Sequence, residues 1–173
     1  MSQEEQLQQD EVKPELSLEI IEKLRMEQKL LFGVLSGLVV GVIGAILWGA
    51  ITVFTGYQIG YMAIAIGAGV GFIIRLTGRG IDKVFGFVGA GISLFSVLLG
   101  NFLSIIGFLA NSEGLGYLDA LLLFDYSYLP QLMGETFSVI DLLFYGLAIY
   151  WGYKFSFRKI SEKTVAELEQ NER

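Results

Sequence analysis

Cysteine and histidine are absent from all 173 residues. Their absence excludes disulfides, thiol nucleophiles, iron–sulfur clusters, imidazole acid–base catalysis and histidine-ligated zinc or haem. The sequence also contains no GxSxG elbow, no nucleophile placed beside a base and no carboxylate cluster at metal-ligand spacing. No cofactor, metal or enzymatic activity is therefore expected, and a lipid-modifying enzyme is the weakest of the readings considered. The segment Gly67-x-Gly69-x-Gly71 lacks the preceding strand and the Lys-Ser/Thr pair that a phosphate-binding turn needs. The net charge of −6, with no basic face gathered on a soluble segment, argues against a nucleic-acid partner.

Charge itself is missing over long stretches. Residues 30–74 contain no Lys, Arg, Asp or Glu over 45 positions, and residues 84–112 contain none over 29. A soluble domain of this length cannot hide both runs. Hydrophobic residues make up 53% of the chain and glycine supplies 22 positions, a composition that calls for lipid. Residues 1–28 carry eight acids against three bases and lead into no small-x-small cleavage site, so the first apolar run is expected to be retained rather than removed as a signal.

A helix rises about 1.5 Å per residue and the hydrocarbon core is about 30 Å thick, so the longer run must cross twice. Thr55-Gly56-Tyr57-Gln58 is the natural break, with Trp48, Tyr57 and Tyr61 suited to an interfacial belt. The expected spans are 31–54, 58–76, 84–109 and 137–153, the second and third joined by a tight polar loop that begins at Arg75. Residues 110–136 form a longer connection containing Pro130, whose stretch 117–124 is too short to cross and is expected to lie along the interface. The fourth span is the weakest, because Asp141 cuts its uninterrupted apolar stretch to residues 142–153. Leu16, Ile20, Ile21 and Leu24 in the acidic segment 1–29 recur at helical spacing, as do Val165 and Leu168 in the tail 155–173, and Pro14 fits a helix start. The fold class expected is thus all-α: an integral membrane four-helix bundle, residues 30–154, with amphipathic terminal helices.

All twelve Lys and Arg residues lie in three places: 13–29, 75–83 and 154–173. Four crossings put these on one side, and the positive-inside rule makes that side cytoplasmic. The remaining connections are neutral or acidic, with Glu113, Asp119, Asp125 and Glu135 in the longer one.

Three sets of small residues recur at intervals of four: Gly33, Gly37 and Gly41; Ala63, Gly67 and Gly71; Ser96, Gly100 and Ser104. Such spacing lets helix backbones approach closely, either within the chain or against a membrane protein partner or a second copy. Asp141 is expected about one turn inside the fourth span, acting as a helix-start anion or, if deeper, as part of a polar site with Asn101, Ser104 and Tyr145 as partners. Asn101, near the middle of the third span, needs an interhelical hydrogen bond. Arg75, Arg79 and Lys83 are placed to attract anionic lipid headgroups, and Asp82 to cap the third span.

The stretch from Thr55-Gly56-Tyr57-Gln58-Ile59-Gly60-Tyr61-Met62-Ala63 through Gly71, Arg75, Gly78, Gly80, Ile81 and Asp82 to Phe85 and Gly86, with Leu99-Gly100-Asn101 beyond, resembles small bacterial membrane proteins of unknown function. The resemblance covers about residues 50–105 and implies a bacterial inner-membrane setting with no activity attached. The function expected is that of a non-enzymatic accessory or scaffold subunit packing through its glycine faces. The alternative is an oligomeric channel or small transporter using Asp141 and Asn101.

Overall fold

A computed structural model describes residues 18–160. Pro14, Leu16, Val165, Leu168 and the helices expected around them lie outside the described residues. The chain divides into two compact units, one comprising residues 1–28 with 159–173 and the other residues 29–158. In the first unit the described helix is α1, Leu18–Met26, which ends on Lys23 and Arg25, where the helix dipole favours cations.

The second unit contains helices α2 (Leu30–Thr55), α3 (Tyr61–Gly78), α4 (Lys83–Glu113), α5 (Tyr117–Leu123), α6 (Leu129–Thr136) and α7 (Val139–Phe155), with a 3₁₀ turn at Tyr126–Tyr128. No strand occurs among the described residues. Three of these helices, α2, α3 and α4, are long and apolar enough to cross a membrane. A fourth candidate is reached if residues Tyr126–Thr136 and α7, bent by 101° at their junction, are taken as one span.

Each boundary has a local cause. α2 ends where Gly56 takes a left-handed φ of 73°, a conformation costly for any residue with a Cβ, and the Gly56 amide closes on Thr52 O at 2.9 Å. Gly114, at φ 64°, ends α4 in the same way, four residues beyond the expected span. α3 starts at Tyr61, not residue 58, and runs on to Gly78, which leaves a connection of only 79–82. α7 starts at Val139, two residues late, because Ser138 and Asp141 form a capping box. The connection expected to be a loop with one interfacial stretch holds α5, the 3₁₀ turn and α6 in succession. In that turn Asp125 accepts from the Ser127 amide at 3.0 Å. Hydrogen bonds from the Ser127 side chain and amide hold the Asp125 carboxyl below its ordinary range, so the turn loosens only as pH falls below that range.

α2 packs on α3 and α4, and α7 packs on the same two, so α3 and α4 form the central pair. α5 rests on α4, with Ala120 against Ile106 and Ala110. The distribution of side chains is the reverse of that in a water-soluble helix. α2 buries Gly33, Gly37, Gly41, Ala45, Trp48, Gly49 and Thr52, while Leu31, Phe32, Leu35, Val39, Ile43, Leu47 and Phe54 face outward. Only 22% of its most apolar stretch is buried inside the protein. Large apolar groups outside and small ones inside suit apolar surroundings, where close backbone packing and not exclusion from water holds helices together.

Candidate functional site: a small-residue interior with a polar end and a basic end

The three small-residue sets all turn inward. A Cβ added at Gly33 would stand 3.3 Å from the Gly78 Cα, and one at Gly37 would stand 2.8 Å from the Ile74 Cγ1. At Gly41 it would meet Ser96, and at Gly100 it would stand 2.7 Å from the Trp48 ring and 3.4 Å from the Ala45 Cα. Gly67 meets the Ala148 backbone, and Gly71 lies against Gly152 O and Phe155. Ala63 is fully buried in the central cluster with Trp48, Ile66, Val70 and Tyr145. These contacts run in one direction along α2 and α4, and likewise along α3 and α7, so each of these pairs is parallel. They are contacts within the chain.

Sequence reasoning missed a fourth set. Gly86, Gly89 and Ser93 make a second small face on α4, and Ala148 and Gly152 make one on α7. Gly152 is closely enclosed: a Cβ there would meet the Ser93 hydroxyl and come within 2.7 Å of Gly89 O. α7, whose short apolar stretch made it look weakest, is thus seated on backbone contacts from two helices. The spacings Gly89-x₃-Ser93 and Ala148-x₃-Gly152 carry the signal, but α4 offers small residues on two faces and periodicity alone does not assign each to its partner.

The polar groups separate into two kinds. Ser93, Ser96, Ser104 and Ser156 each donate to the carbonyl four residues back, at 2.7–2.8 Å, and so are satisfied within their own helices. Asn101 reaches across instead: its Nδ2 donates to the Tyr145 hydroxyl at 3.1 Å, joining α4 to α7. Asp141 is buried but belongs to the first turn of α7, where its Oδ2 accepts from the Ser138 amide at 2.8 Å. The structure thus brings Asn101 to Tyr145, and occupies Asp141 with its own helix start. Tyr145→Phe, which removes the hydroxyl and keeps the ring, is expected to lower stability by about 0.6 kcal/mol, with about 1.7 kcal/mol as the ceiling for such bonds between membrane helices. Chemical unfolding in detergent measures it, and combination with Asn101→Leu should be less than additive.

The basic residues gather at the opposite end from Asp141. The connection 79–82 is tied on both sides, since the Lys29 amide donates to Gly78 O and the Arg158 amide to Gly80 O, each at 2.8 Å. Phe85, 1% exposed, fills the space left by Gly78 and Gly80. Lys29, Arg75, Arg79, Lys83, Lys154 and Arg158 are thereby drawn to one end. The Arg75 guanidinium lies 4.8 Å from the Phe72 ring, and Lys154 Nζ donates to the Tyr150 hydroxyl at 3.0 Å beside Trp151. Arg79 is exposed and holds a left-handed φ of 49°, where glycine would fit without strain. Asp82 occupies the N-cap position of α4, as expected, in extended backbone and with no side-chain capping hydrogen bond to that helix.

Among the described residues no group of three or more Asp and Glu is placed to hold a metal ion. Compared with known protein families, curated proteins and solved structures, the chain matches none.

Proposed function

We propose that this is a small non-enzymatic integral membrane protein, a four-helix bundle of the bacterial inner membrane with both termini cytoplasmic, acting as an accessory or scaffold subunit of a membrane complex. The observation that carries this reading is the reversed packing: the three small-residue sets are turned inward, and large apolar side chains cover the outward face of α2. A protein built this way offers its outer faces to lipid and membrane partners and its charged end to the cytoplasm. The glycine sets therefore hold the subunit together, and contact with a partner or a second copy falls to the outward faces. Arg75, Arg79 and Lys83 bind anionic lipid headgroups in this reading, and the strained Arg79 backbone supports it, because a costly conformation persists where the side chain is used.

The absence of native cysteine gives a direct test of sidedness. In spheroplasts, a single cysteine replacing Tyr57 is expected to react with an impermeant maleimide from outside, and one replacing Lys159 only after permeabilisation. The reverse pattern would refute the orientation. Purification in mild detergent tests the subunit role: a monodisperse monomer with no co-purifying membrane protein counts against it.

A channel or small transporter is the second reading, favoured by the buried Asn101–Tyr145 bond and by Asp141 at one mouth of the interior. It predicts solute flux in proteoliposomes that Asp141→Asn and Asn101→Ala reduce. Flux indifferent to both variants would remove these residues from any path.

A further inference from the structure

Among the described residues two buried side-chain polar atoms have no hydrogen-bond partner, Trp48 Nε1 and Thr52 Oγ1. Both residues are 1% exposed. They stand four residues apart on α2, hence one above the other on the same face. The interior serines, by contrast, all close on their own helices. An indole N–H can only donate, so no rotation of the ring would satisfy it without an acceptor. No acceptor can come from hydrocarbon, where an unanswered donor costs more than it does near water.

The surroundings say what kind of acceptor fits. The indole Cε3 lies against Gly100, where an added Cβ would stand 2.7 Å from it. A donor-only group and, one turn on, a hydroxyl able to act either way make a pair that a small neutral molecule with lone pairs and a hydrogen can satisfy. An anion would find no positive charge on these side chains and a cation no carboxylate.

We propose that an ordered water molecule is bound at the Trp48–Thr52 turn of α2, accepting from the indole N–H and donating to the Thr52 hydroxyl oxygen.

Thr52→Val tests the bridge by sign, because the two side chains have nearly the same shape. If the hydroxyl is one leg of a water bridge, its removal leaves the indole N–H stranded, and the thermal midpoint in detergent falls by about 2–4 °C. An unchanged or raised midpoint, the result for replacing a lone orphan by its isostere, overturns the proposal. A second measurement needs no change at the site. Trp151→Phe leaves Trp48 as the sole tryptophan, and ultraviolet resonance Raman then reports the hydrogen-bond state of its N–H. A hydrogen-bonded indole that loses this signature with Thr52→Val is expected, and a free N–H in the Trp151→Phe protein overturns the proposal.

Discussion

Gly152→Ala is expected to destabilise the protein by about 1–3 kcal/mol, the usual cost of forcing a methyl group into a filled interior. The methyl would stand 2.7 Å from Gly89 O and 2.9 Å from the Ser93 Cβ, and neither neighbour is the far end of a flexible side chain that could swing aside. α7 would have to move off α4, and with it the contacts of Ala148 with Gly67 and of Gly152 with Gly71. Gly146→Ala on the same helix supplies the contrast. Nothing lies within 4 Å of that position, and alanine is the better helix former by up to about 1 kcal/mol, so this variant should be neutral or stabilising. Unfolding followed by circular dichroism in one detergent compares the two. Equal effects would mean that α7 is not seated as described.

Phe85→Ala should cost about 3 kcal/mol, at the lower end of the range for emptying a buried phenylalanine site, since the lipid surroundings proposed above would reduce the transfer term and leave the loss of packing. Its ring occupies the space that side chains at Gly78 and Gly80 would otherwise fill, and the carbonyls of those two glycines receive the Lys29 and Arg158 amides. The substitution is therefore expected to act at a distance along the chain. Hydrogen exchange should accelerate at the Lys29 and Arg158 amides together, while the Asn101–Tyr145 end keeps its protection. Faster exchange spread evenly over the bundle would show that Phe85 contributes only general packing. Unchanged exchange at both amides would show that the connection 79–82 holds its shape without it.

How far the sequence could be read depended on what each signal measures. The uncharged runs 30–74 and 84–112 marked the three long apolar helices, because the absence of charge depends only on composition. Helix ends were less legible. α4 runs four residues past its expected end to Glu113, since an exposed acid can finish a helix as readily as a loop can begin with one. α7 starts late because Ser138 and Asp141 form a capping box, a local motif that fixes where the helix begins and holds the carboxylate at its first turn.

The candidate residues divide in the same way. That Asn101 needs a partner followed from its place in an apolar run. That the partner is Tyr145, 44 residues away, followed only from how α4 lies on α7. The spacing of Gly33, Gly37 and Gly41 announced close packing but not whether the neighbour was another helix of this chain or another molecule. Trp48, suited by its sequence to an interfacial belt, is instead 1% exposed in the central cluster, and Thr52 gave no warning, because a threonine in an apolar helix usually closes on its own backbone.

By itself the sequence determined that the chain is helical, that three to four helices are apolar enough for a membrane, and which chemistries its missing cysteine and histidine exclude. These follow from composition and period, which every conformation of the chain shares. Only the tertiary structure decided that the small-residue faces meet one another, that α7 is held by Gly67, Gly89 and Ser93, that the basic residues of unit 29–158 converge on one tied connection, and that two polar atoms on α2 are left without a partner among the described residues. Each depends on which helix face meets which, a choice fixed by the summed packing of side chains far apart in the chain.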